Sequence, residues 1–325
     1  MRNLLTTNYG LSITGSQIID GRSCFTDLEY FYITIPAANK KDINMEQAAL
    51  AYHLVENGYP YTAYPIPNRQ QDWVTNYEGE NYIVLRGGAL KKEVQDQHGQ
   101  SLAYFHKENS AYHFEPQSIS SYGQWKTLWI SKLTFVEHYL TEESKKQSDP
   151  YDHLLMNHLP YIIGVSENAI QYMQESEQER RYRDCDRGTI AFQRYQDQLL
   201  RPTIWSTDLV YDHPTRDIAE YIRTKLLWGE KREVSMVRLF LEEYESVQPL
   251  SVFSWRLLYA RLIYPIHLFD QIEKSFYETD RKQSYQQMAR LFDRQHVYEH
   301  HLADLFHGEH PNFYELDLPM LHWIQ

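Results

Sequence analysis

The stretch that decides the predicted fold begins with LEYFYITIP, residues 28–36, which is aromatic and β-branched and stops at a proline. Such a composition is typical of a strand. Apolar residues then recur at helical spacing over residues 45–55, and this helix is expected to end at Asn57-Gly58. Two more strand-like segments follow, DWVTNYEG and NYIVLR, and the second runs into Gly87-Gly88. The pattern predicts a strand, a helix and a hairpin, closed by a glycine pair suited to a hinge.

Beyond Gly88 the sequence changes to long amphipathic helices. Apolar residues at spacings of three and four predict helices at Ser101 to His106, Trp125 to Leu140, Tyr151 to Gln174, Asp217 to Trp228, Glu233 to Ser246, Phe253 to Phe276 and Gln283 to Phe306. Between Asp184 and Asp212 the helical periodicity fades, and short strand-like pieces such as GTIAFQRY replace it. We therefore predict an α+β fold with a small β-rich N-terminal lobe, residues 1–86, and a larger, mainly helical lobe, residues 87–325.

The composition argues against several classes of protein. The 325 residues carry 44 acidic and 32 basic side chains, a net charge of −12, which argues against nucleic-acid binding. The longest uncharged stretch, Asn3 to Ile19, is interrupted by polar residues, so we expect no transmembrane helix. Two cysteines, Cys24 and Cys185, are too few for a disulfide framework. We expect the chain to be made and folded in a reducing cytosol.

Several strings resemble protein kinases and aminoglycoside phosphotransferases in their order along the chain. Glu46, in MEQAALAYHLVENGYP, lies where that superfamily carries the glutamate of its first helix. LAYFH, residues 102–106, and DHPTRDIAEYIR, residues 212–223, resemble two further segments. YGQWKTLWISKL, HLPYIIGVSENAIQYM and FLEEYESVQPLSVFSWRLLYARLIYP are similar to the bacterial spore coat kinase-like proteins of the CotS group. The resemblance covers roughly residues 25–280 and implies a bilobal kinase-like fold.

Phosphoryl transfer in such a fold requires a lysine on the third strand, a helix glutamate, an aspartate base, an asparagine and a second aspartate for Mg²⁺. At the lysine's place the strand offers Ile33 or Thr34, and neither is a cation. Lys40 and Lys41 follow Pro36 and are expected on a surface turn. The segment YGLSITGSQIIDGRS contains no G-x-G-x-x-G loop.

The resemblance places the degenerate catalytic loop at Phe192, Gln193 and Arg194, with Leu199 where the asparagine belongs. Arginine stays charged and cannot accept the proton of a substrate hydroxyl, and leucine cannot bind Mg²⁺. Asp208, in IWSTDLVYD, is the match left for the metal-binding aspartate. Three of the five reactive positions are therefore lost, and no catalytic residue is expected.

Two of the remaining site residues allow more than one interpretation. Glu46 is either a surface helix residue or part of a retained ion pair with another cation. Arg194 forms an internal ion pair with Asp208, lies solvated at the surface, or binds an anion.

HVYEH, residues 296–300, formally matches the zinc-binding pattern H-x-x-E-H, and His301, His307 and His310 lie nearby. A chain with 15 histidines produces such clusters by chance, and only 25 residues remain to supply a third ligand and its supporting helix. We expect no metal site there.

The resemblance implies a spore coat-associated pseudokinase, made in the mother cell and then deposited in the endospore coat. Its partners would be other coat proteins, and no cofactor is expected. The alternative is an active phosphotransferase that uses Mg-ATP on a small molecule or a coat protein. In that case a displaced lysine, Lys40 or Lys41, would act together with Asp208.

Overall fold

The computed structural model describes residues 1–37, 41–88, 90–91, 97–143 and 149–306. The chain divides into two compact units, and we name each by its residues. The first unit contains Met1–Ser120 and Gly188–Asp212; the second contains Ser121–Arg187 and the described residues from His213 onward. The lobe boundary predicted between residues 86 and 87 stays a prediction; residues 87–120 and 188–212 lie with the N-terminal residues in the first unit.

The first unit is built around a curved sheet. Its strands are β1 (Gly15–Ile19), β2 (Arg22–Thr26), β3 (Phe31–Pro36), β4 (Thr62–Ile66), β5 (Thr75–Tyr77), β6 (Glu80–Gly87), β7 (Thr189–Phe192), β8 (Ile204–Trp205) and β9 (Leu209–Asp212). Seven strands form one sheet in the order β1-β2-β3-β6-β4-β8, with β5 paired to β6, while β7 and β9 form an antiparallel pair. Its helices are α1 (Arg2–Leu4), continued by a π-helical turn (Leu5–Tyr9), α2 (Lys41–Glu56) and α3 (His98–Asn109).

The two strands β1 and β2 form a tight hairpin that the sequence analysis did not identify. Its two-residue turn is Asp20-Gly21, and both residues have positive φ angles, 50° and 73°. This is the conformation of a primed hairpin turn, which Asp-Gly favours strongly. The segment YGLSITGSQIIDGRS therefore folds as a strand, a turn and a strand.

Side chains of β3 alternate between the two faces of the sheet. Phe31, Ile33 and Ile35 belong to or pack against one buried cluster, here called the Trp205 cluster. Its buried members are Ile19, Cys24, Phe31, Ala37, Ala63, Ile83, Leu85 and Trp205. Tyr32 packs on the other face with Val84 and the N-terminal Leu4. The period of two along a strand fixes this division.

The second unit is helical in its described part. Its helices are α4 (Trp125–Glu143), α5 (Pro150–Glu179), α6 (Thr215–Trp228), α7 (Arg232–Val247), α8 (Val252–Ile263), α9 (Ile266–Ser275) and α10 (Arg281–Phe306). The single helix expected from Phe253 to Phe276 is wrong: it is interrupted at Tyr264-Pro265. Proline lacks an N–H and disfavours helical backbone at the residue before it, and Tyr264 accordingly has a ψ of 118°. Within the described residues, no helix is long and apolar enough to cross a membrane.

A buried polar network lies in the core of the second unit. Asp186 is 2% exposed and accepts hydrogen bonds from the hydroxyls of Ser251 and Ser254. His213 Nε2 lies 3.2 Å from Asp186 Oδ1, and the backbone N–H of Arg183 lies 2.6 Å from Oδ2. Burial by itself would raise the pKa of Asp186, but these hydrogen bonds outweigh it and hold the pKa below its ordinary value.

Candidate functional site

The residues that the sequence assigned to a degenerate kinase site all lie in the first unit. On β3, Ile33 packs against the Trp205 cluster, whereas Thr34 pairs with Val84 of β6 and lies on the opposite face. Ile33 therefore faces the Trp205 cluster and Thr34 does not; which of the two takes the lysine's place stays a prediction. Lys40 and the side chain of Lys41 lie outside the described residues, so the displaced-lysine alternative stays a prediction.

Trp205 at the end of β8 fills the space beneath this face of the sheet. Its side chain is fully buried, and its ring meets that of Phe31 edge to face at a centroid distance of 5.9 Å. The guanidinium of Arg22 lies 4.6 Å from the centre of the tryptophan ring. Strand β8 is held there by parallel pairing with β4, in which Ala63 is the partner of Trp205.

The turn of the β1–β2 hairpin is attached to residues 201–208 by a set of contacts that we call the hairpin clamp, formed by Asp20, Arg22, Arg201, Trp205 and Asp208. Asp20 Oδ2 accepts a hydrogen bond from Trp205 Nε1 at 3.1 Å and lies 3.2 Å from Arg201 Nη1. Arg22 Nη2 lies 3.3 Å from Asp208 Oδ1. In protein kinases a glycine-rich loop covers the phosphates of ATP. In this chain the hairpin turn contacts the Asp208 segment directly.

Asp208 has a cation partner, but not the one that the sequence suggested. Among the described residues, the ion pair of Asp208 is made with Arg22. Arg194 donates instead to the carbonyl oxygen of Gln193 at 3.0 Å. Burial raises the pKa of Asp208 above its ordinary value, and the nearby charge of Arg22 opposes that rise without cancelling it.

The segment after β7 is held by packing and backbone hydrogen bonds. Phe192 is fully buried and stacks on Phe105 at 5.3 Å, while the Gln193 N–H donates to the carbonyl oxygen of Asp208 at 2.8 Å. Leu199 is also buried, and its carbonyl oxygen accepts a hydrogen bond from Lys91 Nζ at 2.7 Å. Burial lowers the pKa of Lys91. These residues stabilise the loop, and none of the side chains of Phe192, Gln193, Arg194 and Leu199 is a carboxylate base.

Glu46 makes contacts that neither sequence interpretation included. Its carboxylate accepts hydrogen bonds from the backbone N–H groups of Gln117 at 2.7 Å, Ser118 at 2.8 Å and Ile119 at 3.0 Å. Hydrogen bonds to a charged acceptor are stronger than neutral ones. Glu46 therefore anchors residues 117–119 to α2, a task different from holding a phosphate-binding lysine.

Sequence reasoning missed the residues that form the centre of the clamp. The positions of Asp20 and Arg22 could have been predicted from the sequence, because Asp-Gly between the strand-like SQII and RSCF indicates a hairpin. Trp205 had no comparable signal. Its burial depends on the pairing of β8 with β4, which joins residues far apart in the chain.

The HVYEH segment lies on α10 in the second unit. Its glutamate, Glu299, accepts hydrogen bonds from Tyr161 and from Gln295. His300 Nδ1 lies 2.9 Å from the carbonyl oxygen of His296. His307 and His310 fall outside the described residues. Across the described part of the chain, no three His, Cys, Asp or Glu side chains are grouped to hold a metal ion.

Solved structures of phosphotransferases share this fold. An aminoglycoside phosphotransferase from Alicyclobacillus acidocaldarius has a TM-score of 0.63 and 13% identity, covering 92% of this chain and 93% of its own. Spectinomycin phosphotransferase APH(9)-Ia has a TM-score of 0.58 and 13% identity, covering 95% and 98%. At this identity the similarity shows the fold alone. The predicted α+β, bilobal kinase-like fold class is thereby confirmed.

Relatives in sequence come from the spore coat of Bacillus subtilis strain 168. The endospore coat-associated protein YutH is 30% identical over 267 residues, which are 81% of this chain and 79% of that protein. Spore coat protein S is 22% identical over 215 residues, which are 63% of this chain and 59% of that protein. The family described as "Spore coat putative kinase YutH" matches residues 2–305. The chain therefore belongs to the YutH family of spore coat kinase-like proteins.

Proposed function

We propose that this protein is a spore coat-associated pseudokinase, a structural or assembly component of the endospore coat that does not transfer phosphate. The observation that carries the proposal is the position of Trp205. It is fully buried beneath the sheet and is covered by the β1–β2 hairpin through Asp20 and Arg22. On this proposal, the protein's own side chains take up the space and the charges that a nucleotide would use.

The packing of Trp205 sets the cost of binding a nucleotide in that space. A buried tryptophan removes roughly 150–250 Å² from water, worth about 4–6 kcal/mol. Binding of a nucleotide that displaced this side chain would forfeit that free energy. The dissociation constant of the nucleotide would then rise by roughly 10³- to 10⁴-fold. Micromolar affinity, typical of an enzyme for ATP, would become millimolar or weaker.

The charges around the site support the same proposal. Ile33 offers no cation to the phosphates, and the cation of Arg22 is paired with Asp208, where Mg²⁺ would be needed. Arg194 cannot act as a base, and the loss of a general base alone lowers a rate by about 10²- to 10⁴-fold. Each replacement acts on a different requirement of phosphoryl transfer.

The coat assignment rests on the relatives. Both named Bacillus subtilis proteins are coat proteins, and their similarity to this chain extends over both compact units. We infer synthesis in the mother cell, followed by deposition in the coat, with other coat proteins as partners. A net charge of −12 favours partners with basic surfaces.

Nucleotide binding tests the pseudokinase proposal. Thermal unfolding is measured with and without millimolar Mg-ATP, with an active aminoglycoside phosphotransferase as positive control. We expect no shift for this protein, because a ligand present below its dissociation constant stabilises very little. A clear stabilisation that depends on Mg²⁺ would contradict the proposal and favour the active phosphotransferase; Asp208→Ala should then remove the metal dependence.

Localisation is tested separately. A fluorescent fusion is followed through sporulation, and we expect it to move from the mother-cell cytoplasm to the surface of the forespore. A fusion that stays diffuse in the mother cell would contradict the coat assignment without affecting the pseudokinase assignment.

A further inference from the structure

A second space in the first unit is open, unlike the one beneath the hairpin. A cavity of about 340 Å³ is bounded by α2, β4, β6 and the segment before β5. Its walls include Met45, Ala48 and Ile83, with Trp73 and Asp72 from the preceding segment. None of the hairpin-clamp residues lines it. This volume is within the range of roughly 300–1,000 Å³ that is usual for small-molecule sites.

The residues that line the cavity determine which class of ligand it can bind. Among the described residues that line the cavity, Asp72 carries the only formal charge, and it is an anion. Phosphates and carboxylates are therefore disfavoured, while neutral and cationic ligands are admitted. The ring of Trp73, which is half-buried, offers a face for an aromatic ring or a cation.

Asn44 adds a polar group to this wall. It lines the cavity from α2, and its Nδ2 is buried without a hydrogen-bond partner in the described part of the chain. An unsatisfied buried donor carries a desolvation cost, but a cationic amine has no acceptor with which to remove it. Asn44 therefore adds polarity to the wall and is not counted as a contact to such a ligand.

We propose that this cavity binds a compact aromatic amine in its ammonium form. The ring packs among the apolar walls beside Trp73, and the ammonium pairs with Asp72 at the rim. None of the hairpin-clamp residues lines the site, although its inner wall includes Ala37 and Ile83 of the Trp205 cluster.

Calorimetric titration with phenethylammonium tests the site, with 3-phenylpropionate as a probe of similar size and opposite charge. We expect saturable millimolar binding of the cation and none of the anion. Ala48→Phe, which fills the cavity, should abolish binding. Met45→Trp, at an exposed position on the rim, provides a second block that does not disturb the core. Absence of binding to the wild-type protein would overturn the proposal, as would binding that both variants leave unchanged.

Two matched variants test whether the site prefers a cation because of Asp72. Asp72→Asn should weaken binding of the cation about two- to fivefold, the range for a solvent-exposed ion pair. Asp42→Asn removes the same charge from an exposed position of α2 outside the cavity lining, and it should leave the affinity unchanged. Equal effects of the two variants would indicate attraction by the net charge of the protein and would overturn a site at Asp72.

Discussion

Asp186 and Asp208 lie 22 positions apart in the sequence, yet their surroundings have opposite effects on their pKa values. In the second unit, Asp186 is almost fully buried and receives hydrogen bonds from Ser251, Ser254 and His213. In the first unit, Asp208 is 21% exposed and has one guanidinium partner at 3.3 Å. The pKa is lowered at Asp186 and raised at Asp208. The supply of donors, rather than the depth of burial, decides how well a carboxylate is satisfied.

The comparison also separates two ways of holding a structure together. The Asp186 network satisfies a buried charge with short hydroxyl hydrogen bonds. The hairpin clamp instead depends on a buried aromatic ring, and its ion pairs lie at partly exposed positions. We therefore expect packing to dominate in the clamp and hydrogen bonding to dominate around Asp186.

Replacement of Trp205 should have the largest effect. Trp205→Ala removes the ring from the Trp205 cluster and should lower the free energy of unfolding by about 3–5 kcal/mol. Trp228→Ala, at a side chain that is 46% exposed, should cost about 1 kcal/mol or less. Urea denaturation measures both. Similar losses in the two variants would show that packing does not dominate the clamp.

Removal of the Asp186 carboxylate should come next. Asp186→Ala leaves Ser251, Ser254 and His213 without their acceptor, and unsatisfied buried groups of this kind should cost about 2–4 kcal/mol in total. Asp184→Ala is the control, because that side chain is 95% exposed and should change stability by no more than about 0.5 kcal/mol. Denaturation curves that coincide for the two variants would contradict the network's role.

The pH dependence of stability should differ in sign between the two aspartates. The lowered pKa of Asp186 means that its contribution is present above the unfolded pKa, near 3.8, and is lost as pH falls through the folded value. The raised pKa of Asp208 means that its contribution is present below the unfolded pKa and is lost as pH rises through the folded value. From about pH 7 to about pH 3, wild type should lose stability relative to Asp186→Asn and gain it relative to Asp208→Asn. If the free energies of unfolding of the two variants changed in parallel with pH, the opposite pKa shifts of the two aspartates would be contradicted.

The ion pair of the clamp should have the smallest effect. A double-mutant cycle of Arg22→Met and Asp208→Asn should give a coupling energy of about 0.2–1 kcal/mol, since both side chains are partly exposed. The coupling should fall further at high salt. A coupling comparable to the loss in Trp205→Ala would mean that charge, and not packing, holds the hairpin.

The predicted elements were mostly correct because they follow from local periodicity. The stretch LEYFYITIP contains β3, the helix after it is α2, and NYIVLR lies within β6. The failure at Tyr264-Pro265 has a local cause as well, because apolar spacing continues across the proline and conceals the interruption. Asp20-Gly21, which turns the β1–β2 hairpin, is a local signal of the same kind, because Asp-Gly favours a two-residue hairpin turn.

The contacts of the candidate site were less predictable than its residue types. The sequence predicts that Ile33, Arg194 and Leu199 replace catalytic residues, and this stays a prediction. An ion pair between Asp208 and Arg194 was one of three alternatives for Arg194, and the ion-pair partner of Asp208 among the described residues is Arg22 on a distant strand. Likewise, Glu46 was expected at a surface or in an ion pair, and it accepts three backbone hydrogen bonds from residues about 70 positions away.

The sequence by itself determined the family and the α+β kinase-like fold class, and it predicts the loss of a lysine, a base and a metal-binding asparagine. These are properties of residue type and order, which a linear string contains in full. Only the tertiary structure decided that Trp205 lies beneath the sheet, that Asp20 and Arg22 close over it, and that an open cavity remains beside α2. Such contacts join residues up to 186 positions apart, as between Arg22 and Asp208, and their pairing depends on strand order and register. Local periodicity does not encode that register, so the packing of Trp205 beneath the sheet could be established only in three dimensions.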